Sequence, residues 1–221
     1  MTTRTLLASL LGLAAMAATT QAGAMQFPGF MPPSLSRADK PHPAIAKLRD
    51  YKAVLHTNLG DITLEFDADS APNTARNFLK LALRGFYDGS RFYCVFKDRM
   101  VLAGDPTSKG TGDVGYTLDY ENSPVGHTAG TVAMDTSPTK GKNSGSRFFI
   151  NVGSQHQLDR DYTVFARVTA GLEVVRRIGA AATRPNGGRP APVEEIVIER
   201  IAVSKGQAPP ATGAAKGADT P

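Results

Sequence analysis

Two short motifs in this chain match signatures of known chemistry, and the residues around them argue against both. Residues 110–115 read Gly-Thr-Gly-Asp-Val-Gly, the glycine spacing of loops that place a pyrophosphate at a helix N-terminus. The residues that follow, 116–120, are not helix-forming, so we do not expect a nucleotide here. Ser137 and Lys140 have the Ser-x-x-Lys spacing of penicillin-recognising enzymes, but Pro138 breaks the helix that would bring the two side chains together.

The thiol and imidazole groups do not indicate a metal site. Cys94 is the only cysteine, which excludes an internal disulfide and any multi-cysteine metal centre. The four histidines (His42, His56, His127 and His156) lack paired metal-ligand spacing, and we expect them at the surface or in loops. We therefore predict neither a metal nor a cofactor.

The composition is that of a globular protein. Among 221 residues, 41% are hydrophobic and 20% are charged, values that exclude wholesale disorder. The formal net charge of +5 (25 basic minus 20 acidic residues) is small, and the basic residues form no run of the kind that favours nucleic-acid binding. We expect one folded domain and no nucleic-acid partner.

The N-terminal residues 1–24 have the features of an export signal. Arg4 precedes an apolar run from Leu6 to Ala18 that is short for a membrane span, and Ala22-Gly23-Ala24 provides a small-x-small cleavage site. We expect a mature chain from Met25 in the periplasm, with no stable membrane insertion after cleavage.

The remaining chain divides into three parts. Residues 25–50 contain five prolines and read as a leader or linker, and residues 206–221 are too poor in apolar residues to form a core.

Residues 51–205 form the predicted domain. Its hydrophobic patterns predict a hairpin over Lys52–Phe66, a helix from Ser70–Pro72 to Gly85, strands in Arg91–Leu102, Gly130–Met134, Ser146–Asn151, Tyr162–Val168 and Ile196–Val203, and a helix over Leu172–Ile178. Many short strands with two brief helices indicate a β-barrel or sandwich.

Several segments, in order along the chain, resemble the cyclophilin family of peptidyl-prolyl cis-trans isomerases. They are Ala71–Phe78, Gly85–Gly89 with Phe92, Gly104–Thr107 with residues 110–116, Gly130–Met134, Gly145–Ile150, and Leu158–Asp159 with Tyr162–Phe165. The resemblance implies a closed eight-stranded antiparallel β-barrel capped by two α-helices, a pocket on the outer face of the barrel, a monomer, and proline-containing polypeptides as substrates.

Prolyl isomerisation requires no nucleophile. Rotation about the amide has a barrier of ~18–20 kcal/mol, and a site accelerates it by binding the twisted amide better than the planar forms. The site needs an apolar slot for the proline ring and a cationic donor directed at the proline nitrogen, which becomes basic as the amide twists.

The family's pocket residues are only partly present. Carried over position by position, the substrate-binding positions are Cys94, Met100, Leu102, Asp135, Thr136, Phe149, Gln157, Leu158 and Tyr162. Met100, Phe149 and Leu158 keep the family's slot residues. Cys94 stands in place of the family's arginine, Leu102 in place of its substrate-binding glutamine, and Gln157 where many members carry tryptophan. Asp135 and Thr136 replace alanine and asparagine, Tyr93 replaces histidine, and Arg99 replaces phenylalanine.

Two arginines are candidate catalytic substitutes for the missing donor. Strand alternation places Arg147 on the same face as Phe149, opposite Phe148 and Ile150, and Arg99 lies at the pocket rim. The alternative is that both are solvated surface charges. Two further alternatives remain: a catalytically weak or inactive binder of proline segments, and redox sensing through Cys94 if a neighbouring arginine lowers its pKa.

Overall fold

A computed structural model describes residues 47–206 of the chain. The predicted export signal, most of the predicted leader and nearly all of the predicted tail lie outside the described residues. Residues 48–50 at the end of the predicted leader form a turn of 3-10 helix, and Leu48 is buried in the core. The folded domain therefore begins slightly before Tyr51. Within the described part, no helix is long and apolar enough to cross a membrane.

The described chain contains twelve strands and two α-helices. The strands are β1 (Tyr51–Thr57), β2 (Gly60–Phe66), β3 (Ser90–Arg91), β4 (Cys94–Phe96), β5 (Met100–Ala103), β6 (Thr117–Asp119), β7 (Thr131–Thr136), β8 (Lys142–Asn151), β9 (Val164–Ala170), β10 (Thr183–Arg184), β11 (Ala191–Pro192) and β12 (Val197–Lys205). The helices are α1 (Pro72–Leu83) and α2 (Leu172–Gly179), and a second 3-10 turn covers His156–Leu158. The fold is mainly β with two helices, as the sequence predicts.

Ten of the strands form one strongly curled antiparallel sheet. Its order is β3-β12-β1-β2-β9-β7-β8-β5-β4, with β6 paired to β8. The two end strands, β3 and β4, are separated in sequence only by Phe92 and Tyr93. The Phe92 amide bonds to the Ile196 carbonyl at 2.9 Å, and the Tyr93 amide bonds to the Leu102 carbonyl at 3.0 Å. One stretch of chain thus borders both ends of the sheet, which is consistent with the predicted barrel. The predicted number of eight strands is obtained when β3 and β4 are taken as one strand and β6 as an addition.

Several predicted strands have different limits in the structure. The predicted strand Arg91–Leu102 contains the β4–β5 hairpin, which turns near Asp98, a residue with a φ of 58°. Strand β8 begins at Lys142, four residues before the predicted start, and its polar first residues pair with β6. These pairings, and the β10–β11 hairpin, are missed because two- and three-residue strands carry no readable hydrophobic period.

The main core lies inside the sheet and against both helices. Phe78 on α1 is fully buried, with ring centroids 4.9 Å from Tyr87 and 5.3 Å from both Phe148 and Phe165. The predicted inward face of α1 is confirmed, since Ala75, Leu79 and Ala82 are also buried. These contacts anchor α1 to β8 and β9, the strands that carry pocket residues on their other face.

The N-terminus of α1 is capped by a residue distant in sequence. The N-cap is Ala71, whose side chain cannot accept a hydrogen bond, and Pro72 follows it. The Glu121 carboxylate accepts hydrogen bonds from the backbone amides of Asn73 at 3.0 Å and Thr74 at 2.8 Å. A carboxylate here satisfies unpaired amides and the positive end of the helix dipole.

We predict that Glu121→Ala lowers the free energy of unfolding by about 1–2 kcal/mol, the range of a lost cap. Urea denaturation would measure the change. Glu199→Ala, at an exposed position on β12, is the control and should change stability by less than about 0.5 kcal/mol. Equal stability of the two variants would show that the carboxylate does not cap the helix.

Candidate active site

Strand β8 separates the main core from a second apolar cluster on the outer face of the sheet. Phe148 and Ile150 belong to the main core, whereas Phe149 between them belongs to the outer cluster. This is the alternation predicted from the sequence. The buried members of the outer cluster are Tyr93, Cys94, Leu102, Ala133, Phe149 and Val164, and its partly exposed members are Phe96, Met100, Val125, Leu158 and Tyr162.

The outer cluster, which we call the slot, contains six of the predicted substrate-binding residues. They are Cys94, Met100, Leu102, Phe149, Leu158 and Tyr162. Met100, Leu158 and Tyr162 are only partly buried, so the apolar surface is open to solvent at one side. The slot is formed by β4, β5, β7, β8 and β9 and by the 3-10 turn at residues 156–158.

Aromatic rings form the base of the slot. The Phe149 ring meets Tyr162 edge to face, with centroids 5.2 Å apart and planes at 86°. His127 stacks on Phe149 at 5.7 Å and 16°, and its ring centroid lies 6.2 Å from that of Tyr162. Burial lowers the pKa of His127, so the imidazole is neutral at pH 7 and adds an uncharged flat surface.

Our expectation that the histidines lie at the surface or in loops is wrong for His56, which is on β1 and 5% exposed. His127 is in a loop, as expected, but is completely buried. Both are held by neighbours, since the His127 backbone amide donates to Asp159 at 2.6 Å and the His56 ring lies 2.8 Å from the Asp61 carboxylate. Single histidines carry no sequence signal that distinguishes stacking from exposure. Among the described residues, no cluster of histidine, cysteine and carboxylate side chains could hold a metal.

Arg147 is buried in a network of hydrogen bonds beside the slot. It is 5% exposed, and Asp135 is 6% exposed. The Arg147 Nε donates to Asp135 Oδ2 at 3.1 Å, Nη1 donates to the Gly112 carbonyl at 2.9 Å, and Nη2 donates to the Thr136 carbonyl at 2.8 Å. This geometry favours a structural role for Arg147, in contrast to our hypothesis that it donates to the substrate, because all three nitrogens already have partners and the side chain is not accessible.

The other predicted residues lie at the rim. Arg99 is exposed, and its Nε donates to Gln155 Oε1 at 3.1 Å. Gln157, also exposed, donates to the same oxygen at 2.7 Å. Thr136 is exposed at the end of β7, next to the buried Asp135. None of these three side chains belongs to the slot cluster.

Arg189 is a site residue that sequence reasoning missed. It lies in the turn of the β10–β11 hairpin, and its Nη1 is 3.4 Å from Asp135 Oδ2 and 3.3 Å from the Tyr93 hydroxyl. Its side chain remains 39% exposed. Proline and glycine around it predict only a loop, and nothing in the local sequence indicates where that loop docks.

Cys94 is packed into the wall of the slot. It pairs with Leu102 across β4 and β5 and is completely buried. Burial raises the pKa of the thiol from its usual 9.0 to about 11; the charge of Arg189 opposes this shift and that of Asp135 adds to it. A thiol with this pKa is protonated at physiological pH, which argues against redox sensing.

Comparison with known proteins supports these geometric observations. The family model described as "Cyclophilin type peptidyl-prolyl cis-trans isomerase/CLD" matches residues 52–203. The chain belongs to the cyclophilin family. The match covers nearly the entire described domain of this cyclophilin, including every slot residue.

Individual relatives and solved structures agree with this assignment. The cyclophilin is 39% identical to a peptidyl-prolyl cis-trans isomerase of Arabidopsis thaliana over 158 residues, covering 69% of this chain and 93% of the relative. It is 37% identical to one of Dictyostelium discoideum, covering 68% and 96%. A crystal structure of a Cryptosporidium parvum cyclophilin, obtained in the presence of the dipeptide Ala-Pro, superposes with a TM-score of 0.64 at 28% identity, covering 70% of this chain and 99% of that one.

The Cys94 thiol should react slowly in the folded cyclophilin. We expect negligible alkylation by iodoacetamide at pH 8 and acceleration only as the pH approaches 11, whereas the chain unfolded in urea should react at the rate of a free cysteine. Rapid alkylation of the folded protein at pH 7 would contradict this prediction and restore the redox hypothesis.

The raised pKa of Cys94 also makes stability depend on pH. Because the pKa of the thiol is higher in the folded protein than in the unfolded chain, the stability that the protonated thiol contributes is complete below pH 9 and is lost as the pH rises from 9 to 11.

Proposed function

We propose that this cyclophilin is a peptidyl-prolyl cis-trans isomerase that assists the folding of exported polypeptides. The observation that carries the proposal is the slot: a partly exposed apolar cluster with an aromatic base and a cationic edge, on the outer face of the sheet. Family membership and the names of its relatives support the same activity. No cofactor is required, because rotation about an amide makes and breaks no bond.

The slot can hold a proline ring. Phe149 on β8, Met100 on β5, Leu158 in the 3-10 turn and Tyr162 just before β9 provide apolar surface. Burial of a ring against them removes water from around the amide. Removing water strengthens any electrostatic contact to the twisting bond. The partly exposed side chains leave the polypeptide on both sides of the proline in solvent, so a long unfolded substrate can bind.

A second candidate function is that of a binder which does not catalyse isomerisation. The observation that favours it is Cys94, whose neutral and buried thiol cannot replace a guanidinium donor. Such a binder would use the same slot to hold proline-containing segments. Binding and acceleration must therefore be measured separately.

Exchange NMR on a panel of X-Pro peptides would separate these functions. We expect acceleration by the wild-type protein. Met100→Ala combined with Leu158→Ala should reduce kcat/KM by about 10-fold or more, because each truncation removes apolar contact worth roughly 1 kcal/mol. Both side chains are half-buried, so folding should persist, and near-UV circular dichroism would verify it.

Val193→Ala is the control, since Val193 is an exposed apolar residue outside the slot. It should leave kcat/KM within about twofold of the wild type. Peptide binding without acceleration by the wild-type protein would establish the binder, and neither binding nor acceleration would overturn the proposed use of the slot.

The proposal of export rests on residues 1–24, with Arg4, an apolar run and the sequence Ala22-Gly23-Ala24. Expressed in a Gram-negative bacterium, the chain should be recovered from the periplasm with Met25 as its first residue, as determined by mass spectrometry. Ala24→Phe should block cleavage and accumulate the precursor. A cytoplasmic product that retains residues 1–24 would contradict export.

A further inference from the structure

Arg189 reaches the slot because its hairpin is fixed to strand β4. The Val95 amide donates to the Pro190 carbonyl at 2.8 Å. Cys94 precedes Val95 and Arg189 precedes Pro190 in the chain, so each lies next to one of the two hydrogen-bonded residues. Within the hairpin, the Arg189 amide donates to the Asn186 carbonyl at 2.9 Å. Hydrogen bonds on both sides of Arg189 therefore hold its backbone next to β4. This is the strand in which Cys94 stands in place of the family's arginine.

Gly110 provides the space for the side chain. Its φ is +81°, and a Cβ built on it would lie 3.2 Å from Arg189 Cδ and 3.0 Å from the Tyr93 ring. The glycine pattern at residues 110–115, which we considered as a nucleotide loop, thus contributes a surface over which the arginine passes. A larger residue at this position would displace Arg189 or Tyr93.

Arg189 has donors that remain available, unlike Arg147. Its Nη1 contacts Asp135 and Tyr93, while its Nε and Nη2 form no hydrogen bond within residues 47–206. Arg147 engages all three nitrogens. Because Arg189 is also 39% exposed, a peptide in the slot can contact it directly.

Arg189 and Arg147 share the Asp135 carboxylate. Asp135 Oδ2 accepts from Arg147 Nε at 3.1 Å and lies 3.4 Å from Arg189 Nη1, while Arg147 Nη1 also lies 3.7 Å from Asp113 Oδ2. The Arg189 charge also acts on the Cys94 thiol and on the hydroxyls of Tyr93 and Tyr162, lowering the pKa of each against the effect of burial. Those three residues belong to the slot, which places the cation at its edge.

We infer that Arg189 is the catalytic donor of this cyclophilin, delivered by the β10–β11 hairpin to the edge of the slot beside Cys94, the residue that stands in place of the family's arginine. The inference rests on the proposed isomerase function. As the amide twists, the proline nitrogen gains a lone pair, and an unengaged N–H of Arg189 donates to it. The donor stabilises the twisted form more than either planar form, which is the condition for acceleration. Asp135 and Tyr93 are positioning residues that hold the guanidinium.

The test compares Arg189→Ala, Arg189→Lys and a matched control, Arg184→Ala. Arg184 is an exposed arginine on strand β10 of the same hairpin, and its loss should leave kcat/KM within about twofold of the wild type. Arg189→Ala should reduce kcat on the order of 100-fold, the effect of removing one such donor. Peptide affinity, measured by NMR titration, should change less than about threefold, and Arg189→Lys should retain more activity than Arg189→Ala.

The results distinguish this inference from the proposed function. If the wild-type protein accelerates nothing, the proposed function fails. If the wild-type protein is active and Arg189→Ala keeps its kcat, the inference is overturned and isomerase function stands. A donor role would also be overturned if Arg189→Ala lost peptide affinity but kept its kcat. The same holds if Arg189→Ala and Arg189→Lys lost kcat equally. Circular dichroism of each variant confirms that the comparison is between folded proteins.

Discussion

The two faces of strand β8 are the constraint on which the rest of the site depends. Side chains alternate along a strand, so Phe148 and Ile150 can enter the main core only if Phe149 points outward. Helix α1 fixes the inner side through Phe78, and the outer side then becomes the base of the slot. A shift of one residue in the register of β8 would exchange the faces and destroy the core and the slot together.

The second constraint is electrostatic. Introducing a buried carboxylate at Asp135 requires compensation, because an unpaired buried charge is strongly unfavourable. Arg147 provides it, with its remaining nitrogens bonded to the backbone carbonyls of Gly112 and Thr136. The arginine that seemed available to a substrate is therefore part of the framework. Through Asp135, that framework also positions the half-exposed Arg189 at the slot, so the three side chains form one connected arrangement.

The sequence predicted those elements correctly in which the hydrophobic residues recur with a clear period. The β1–β2 hairpin, the inward face of α1 and the alternation of β8 were predicted correctly, because hydrophobic period reports burial directly. The site residues carried over from the family lie largely together, since six of them share the slot. Very short strands such as β6 and β10, the cap that Glu121 provides to α1, and the stacking of His127 on Phe149 were not predicted. Strand β10 is too short to show a hydrophobic period, and the other three features depend on partners far away in sequence.

The sequence by itself determined the class of fold, the family and the apolar residues of the slot, because periodic patterning and ordered motifs are local properties of the chain. Only the tertiary structure decided which arginine is buried and which lies open at the slot. Arg147, Arg99 and Arg189 are equivalent as residue types, and burial, partners and access distinguish them. Those properties arise only when β4, β7, β8 and the β10–β11 hairpin meet, so the sequence alone could not supply them.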